Sequence, residues 1–264
     1  MEWSPDPNQY LPHLRSRIRR GRGLRSGIDY RPWLKVRDVP SRGTSSTVPG
    51  ILISRPFHLL SKLETTYFYL IERRPTTLDI CEQFPILDIA ATLDICRKLD
   101  VRHHYLGRNL EPFTIDFLIK ELHPHGPIFR AASIKTPEDA INPDIEQGLR
   151  VEHDWCGANN IPWTLVDTSR FDDTVLENLR FMRTWFRHRF SPEYIDLMRF
   201  TEAFLESYQR NVPLNLLLQP VARKLRLQRP ISEDAFRYCA WKDLIPVSLH
   251  HALSFDNPVV LQNG

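Results

Sequence analysis

The sequence predicts a mixed α/β core followed by a helical domain, and three observations carry that reading. First, the apolar run of residues 113–119, broken only by Asp116, is followed after a polar turn by a second β-rich run, residues 129–135. Second, amphipathic helical patterns and a further short β-rich run flank this pair, the alternation expected of helices packed on a sheet. Third, after Asp167 the texture changes to long helical patterns, with short β-rich runs only at the end. At 264 residues the chain has ample material for two domains of ordinary size.

The elements follow in order. Residues 1–55 are rich in Arg, Pro, Gly and Ser and read as an extended arm, with residues 30–33 and 36–39 its only promising ordered pieces. From residue 58 to 72, Leu59, Leu60, Leu63, Tyr67, Leu70 and Ile71 recur at helical spacing, and the helix must stop before Pro75. Residues 76–81 read as a strand entering a turn at 82–85, and residues 88–100 as a short helix. The runs around Asp116 and Lys135 form a hairpin with a long tip, since residues 123–127 hold two prolines' worth of turn signal around His123 and His125. Residues 143–160 are periodic, with Ile145, Leu149 and Trp155 along one side, and lead into a strand at 161–166. Helices are expected over 174–190, 192–209, 213–227 and 232–243, then a small hairpin of 244–249 with 258–261. Helices followed by a β wing suggest a winged-helix module. The expected divisions are a basic arm (1–55), an α/β catalytic domain (56–168) and a helical winged-helix-like domain (169–264).

Composition narrows the function. Cys81, Cys96, Cys156 and Cys239 show no metal-ligand spacing, as in a reduced cytoplasmic protein. No apolar stretch approaches bilayer-spanning length, and the opening residues lack the order of a signal peptide, so no membrane partner is expected. No Gly-rich phosphate loop is present, which argues against ATP binding by this chain. The net charge of +3 is uneven, with ten Lys/Arg against four Asp/Glu in residues 1–50. Arg15, Arg17, Arg19, Arg20, Arg22 and Arg25 lie in a stretch free of acids, a pattern suited to nucleic-acid phosphates and equally to a solvated leader or docking tail.

The chemistry concentrates in the central strands. A charge inside a run as apolar as 113–119 must find a partner or a metal, and alternation brings Asp116 toward the strand bearing Ser133 and Lys135. Metal-dependent nucleases of the Asp…(Glu/Gln)-x-Lys pattern use such a pair, with oxygens holding Mg²⁺ and a lysine beside the attacking water. Ser133 stands where Glu or Gln would be expected.

Ordered local motifs extend this likeness. Gly21-Arg-Gly23, Asp29-Tyr-Arg-Pro-Trp33, the segment 36–41, His58-Leu-Leu-Ser-Lys-Leu-Glu64, the segment 78–85, Thr114-Ile-Asp-Phe-Leu118, Ser133-Ile-Lys135, and Glu152 ahead of Ile161-Pro-Trp163 resemble, in that order, the TnsA endonuclease subunit of heteromeric cut-and-paste transposases. The resemblance implies a restriction-endonuclease-like core of the PD-(D/E)xK type and a winged-helix C-terminal domain. It further implies Mg²⁺-dependent hydrolysis, with Mn²⁺ able to substitute, at the transposon 5′ ends. The implied partners are transposon-end DNA, a DDE-type transposase subunit acting at the 3′ ends, and an ATP-dependent regulator at the C-terminal domain. By position, Glu64, Asp116 and Lys135 would be catalytic. Glu64 and Asp116 would bind metal, joined by the Ile134 carbonyl, by Ser133 through water, and by Glu152.

Several readings stay open. A water on Ser133 would replace the missing ligand, a migrated acid such as Glu152 or Glu82 would do so, or the site is dead and the chain a DNA- and partner-binding scaffold. A free-standing nuclease of the same fold is a further alternative. Taken alone, Glu64 reads as a solvated or capping acid, Asp116 and Lys135 as a structural ion pair, and Glu152 as part of a solvated helix face.

Overall fold

The computed structural model describes residues 3–39 and 44–262. The chain divides into two compact units, one of residues 1–72 and 76–169, the other of residues 73–75 and 170–264.

The first unit opens with a one-turn helix α1 (Arg15–Arg19), an antiparallel pair β1 (Ser46–Pro49) and β2 (Pro56–Leu59), and helix α2 (Lys62–Glu72). Strand β3 (Thr77–Pro85), helix α3 (Ile89–Leu99) and the short pair β4 (Tyr105–Leu106) and β5 (Asn109–Leu110) follow. Then come β6 (Thr114–Glu121), β7 (Ile128–Ile134), α4 (Pro137–Ala140), α5 (Pro143–Ala158) and β8 (Trp163–Val166). The central sheet has the order β3-β6-β7-β8, antiparallel across its first two joints and parallel at the last. Parallel neighbours need a crossover, and α4 and α5 supply it. Asp88, Thr136 and Asn142 cap α3, α4 and α5 by accepting from backbone N–H groups of the first turn. The main core gathers Cys81, Leu118 and Ala131 from the sheet with Val151, Trp155 and Cys156 from α5.

Three expectations are corrected here. Residues 58–60 are not helical: Phe57, His58 and Leu59 pair with β1, and α2 begins only at Lys62. The apolar spacing of a strand end and a helix start merged into one apparent periodicity. Residues 82–85 are not a turn, since β3 runs on through Pro85, pairing Glu82 with Phe117 and Phe84 with Ile115. Its register with β6 shifts between Thr77 and Asp79, and Gln83, inside the strand, has a left-handed φ of +50°. Residues 3–39 are not an extended arm. Leu14, Ile18, Leu24 and Trp33 form a buried cluster with Leu87, each worth about 1.5–3 kcal/mol of burial. These apolar residues are too widely spaced to show a period, so the arginines between them dominate the composition. Gly23 makes the packing possible. Its φ is +74°, and a Cβ there would sit 2.3 Å from Pro85 Cγ.

A buried ion pair joins the β1–β2 unit to the sheet. Arg55 donates to both Glu82 oxygens at 2.9 and 2.7 Å and to the Ile80 carbonyl at 2.7 Å, while its guanidinium lies 3.7 Å from the Phe57 ring centroid. Burial pushes the Glu82 carboxyl up, against the pull of Arg55.

The second unit holds α6 (Asp173–Arg187), α7 (Leu197–Ser207), α8 (Leu214–Leu225) and α9 (Arg229–Trp241). The helix expected over 192–209 is shorter because Asp196 caps it, accepting from Arg199 N–H, and residues 192–194 form a separate 3₁₀ turn. Arg73 donates to the carbonyls of Ala240 and Trp241, satisfying the C-terminal end of α9. The expected terminal hairpin is reduced to an isolated bridge of Val247 with Leu261, flanked by backbone bonds from Ser248 to Val260 and Gln262 to Pro246, while Pro258 bridges to Pro213. Pro246 and Pro258 remove donors that a regular ladder would need.

The ion pair yields a stability test. Arg55→Met is expected to destabilise the first unit by about 3–5 kcal/mol, because it strands a buried carboxylate. Arg55→Met combined with Glu82→Leu should recover most of that loss, as read from urea denaturation midpoints.

Candidate active site

Asp116 sits in the middle of β6, 8% exposed, with apolar neighbours on the strand. Its Oδ2 accepts from the backbone N–H of Ile134 at 2.7 Å and from Lys135 Nζ at 2.8 Å. Lys135 Nζ also donates to the Ile134 carbonyl at 3.1 Å. One carboxylate oxygen and one carbonyl oxygen are thus turned toward a common cation. Burial alone would lower the Lys135 ammonium, but Asp116, Glu152 and Glu64 outweigh it and hold the ammonium above its ordinary value.

Glu64 stands in the first turn of α2. Its Oε2 accepts from Leu60 N–H at 2.9 Å and from Gln83 Nε2 at 3.2 Å, and its Oε1 from Ser61 Oγ at 3.2 Å. Ser61 Oγ in turn accepts from the Glu64 N–H. Glu64 is therefore a capping acid, as its local sequence suggests, and a buried one facing the sheet as well. Burial first, and then the Asp116 charge, push its carboxyl up to about 7.

Glu152 does not lie on a solvated face. It is a buried residue of α5, and Ser133 Oγ–H donates to its Oε2 at 2.5 Å. Trp163 Nε1–H donates to the same hydroxyl at 3.1 Å. Burial and Asp116 raise the Glu152 carboxyl to about 7. The alternation of charged residues at 150–154 hid this, since Arg150, His153 and Asp154 are exposed while position 152 turns inward. Glu82 is excluded as a migrated ligand because Arg55 takes both its oxygens.

Gln83 was not singled out by sequence. It is buried, left-handed, bonded to Glu64 through its side chain and to Trp33 N–H through its carbonyl. A residue of this type at positive φ in a strand is strained, a feature concentrated at functional sites. Its only sequence signal was the turn-like segment 82–85.

Of the six arginines of the first segment, Arg15 donates to the Tyr10 carbonyl, Arg17 pairs with Glu111, and Arg22 is buried between Asp38 and the Trp33 carbonyl. Arg19, Arg20 and Arg25 are exposed. His103 bonds Thr92 and His104 stacks on Phe113, which places both in the packing around α3 and β6.

The donor set suits a hard divalent cation in charge and type. Three buried carboxylates face one lysine, and burial first, then the Asp116 charge, raises the carboxyls of Glu64 and Glu152 to about 7. Among the described residues no three acidic, His or Cys side chains converge tightly enough to form a ready-made ion cage. Asp116 and the Ile134 carbonyl would be the inner oxygens, with Glu64 and Glu152 supplying charge around them.

Fold and site together define a mixed-sheet protein with a buried acid–lysine centre. The sequence model of the family described as "TnsA-like endonuclease N terminal" matches residues 74–168, the stretch carrying Asp116, Ser133, Lys135 and Glu152. The chain is also similar to the Transposon Tn7 transposition protein TnsA of Escherichia coli, 30% identical over 220 residues that cover 82% of this chain and 79% of that protein. The chain belongs to the TnsA family. Among the described residues no helix is long and apolar enough to cross a membrane.

The raised carboxyls fix a pH dependence. A carboxyl with a folded pKa above its unfolded value stabilises the fold while both states hold the proton, and that contribution is lost as pH rises through the folded pKa. Metal-free protein should therefore lose stability between pH 4.5 and about 7, on the order of a few kcal/mol in total. Glu152→Gln should flatten that slope and raise the melting temperature at pH 8, measured by differential scanning fluorimetry.

Proposed function

We propose that this protein is the Mg²⁺-dependent DNA endonuclease subunit of a transposase, hydrolysing a phosphodiester at the transposon 5′ ends while a DDE-type partner handles the 3′ ends. The observation that carries the reading is the Asp116–Ile134–Lys135 arrangement, in which a buried carboxylate and a carbonyl converge on one cationic position. Family membership supports it.

A bound Mg²⁺, or Mn²⁺ in its place, would polarise the phosphate and lower the pKa of an attacking water. Asp116 and the Ile134 carbonyl would hold the ion, with Glu64 and Glu152 completing its oxygen shell directly or through water. Ser133 then has a defined task. It is a poor ligand itself, but it holds the Glu152 carboxylate, so Glu152 serves in place of the Glu or Gln that the strand lacks. Lys135, kept charged by its acidic neighbours, sits where it would orient the water or oppose charge developing on the phosphate oxygens. The water oxygen gives up a proton to solvent or to a neighbouring carboxylate as it bonds to phosphorus, the P–O bond on its far side breaks, and the leaving oxygen takes a proton from solvent or a buried carboxyl. Gln83 would fix the Glu64 carboxylate on the site. The helical second unit would act as a winged-helix-like platform for an ATP-dependent regulator.

A second reading has one observation in its favour. With no preformed three-acid cage among the described residues, the chain would be a scaffold that keeps DNA and partner contacts without cleavage. Nicking of transposon-end DNA, assayed with the partner transposase and Mg²⁺ or Mn²⁺, separates the two. We expect Asp116→Ala to abolish nicking, and Glu152→Gln to lower it by about 10²-fold or more. Ser133→Ala should cost only about 10–100-fold, as for a residue that orients a ligand. A folded, DNA-bound wild type that never nicks would establish the scaffold.

A further inference from the structure

The first unit carries a cavity of about 570 Å³ whose wall includes Arg19, Arg20, Arg25 and Arg31, with Asp29 as an acid beside them. A neighbouring cavity of about 250 Å³ shares Arg25 and adds Lys120. The frame under these cations is rigid. Ile18 and Leu24, on either side of Arg19 and Arg20, are anchored in the buried cluster with Trp33 and Leu87. Gly23 N–H donates to the Arg31 carbonyl at 2.7 Å, and Arg31 Nη1 donates to the Arg20 carbonyl at 3.0 Å. Exposed guanidiniums on a fixed backbone lose little entropy on binding and offer forked donors suited to phosphate oxygens. Of the apolar residues of the wall, Ile18 and Leu24 are buried and Trp3 is half-buried with its indole N–H held by the Pro85 carbonyl, which leaves Pro5 as the exposed apolar contact against four exposed guanidiniums. The cleft thus favours a polyanion.

We propose that this cleft seats backbone phosphates of duplex DNA, with Arg19, Arg20 and Arg25 as its contacts and Arg31 as the brace that holds the loop. The proposal rests on the endonuclease reading for the identity of the polyanion. It also separates the basic segment into two classes, because Arg15, Arg17 and Arg22 are spent on internal partners.

The test measures DNA-duplex binding by full-length protein in EDTA, by fluorescence anisotropy over a salt series. Each phosphate neutralised contributes about −0.9 to the slope of log K against log salt. The triple variant Arg19→Ala, Arg20→Ala, Arg25→Ala is expected to make the slope shallower by about 2–3 with an unchanged melting temperature. A control triple elsewhere on the same unit, Arg97→Ala, Lys98→Ala, Arg108→Ala, should leave it unchanged. Should the first triple fail to fold, Arg20→Ala and Arg25→Ala are measured singly, each expected to remove about 1 from the slope. An unaltered slope, or an equal change in the control, overturns the proposal. Nicking by wild type alongside an unmoved slope would defeat the cleft and leave the endonuclease reading intact. A shifted slope without any nicking would do the reverse.

Discussion

The candidate site in the first unit is arranged around the burial of one carboxylate. Asp116 stands on the second strand of a four-stranded sheet, where an unpaired charge would cost several kcal/mol. The neighbouring strand compensates for it with a backbone N–H and an ammonium from consecutive residues, Ile134 and Lys135. Glu64 and Glu152 are buried beside Asp116, and burial first, then the neighbouring Asp116 charge, lifts each of their carboxyls to about 7. The site holds more acid than its single lysine balances, a tension that a divalent cation would release and that the metal-free chain meets by retaining protons.

Ser133 shows how a site tolerates an unexpected residue. Its hydroxyl accepts from Trp163 and donates to Glu152, so a side chain too short to reach an ion instead positions a longer one from the crossover helix. The parallel joint of β7 and β8 is what permits this. It requires a helix between the strands, and α5 lays Glu152 against the sheet at the level of Ser133. The buried acids are divided between a strand, which carries Asp116, and the crossover helix, which carries Glu152.

Much of this was legible in the sequence, and the failures are instructive. The strands around Asp116 and Lys135, the helix before Pro75 and the change to helices after Asp167 were readable because each has a local period or a breaker. The folded state of residues 3–39 was not, since Leu14, Ile18, Leu24 and Trp33 have no period and gain meaning only through Leu87, far along the chain. Gln83 was missed because its role depends on a left-handed backbone inside a strand, which no propensity signals. Glu152 was placed in the site only by resemblance, while its charged neighbours argued for solvent. The three engaged arginines looked like the three exposed ones, because composition does not record which side chains meet Glu111 or Asp38.

The central claim is that Asp116 and the Ile134 carbonyl form the seat of a divalent cation. Anomalous diffraction from crystals of the protein grown with Mn²⁺ tests it most directly. The account requires a peak within ligand distance of Asp116 and the Ile134 oxygen, with Lys135 displaced from Asp116 or shifted to a bound water, and Glu64 or Glu152 turned toward the ion. Saturating Mn²⁺ with no peak there and the Lys135–Asp116 ion pair intact would contradict it.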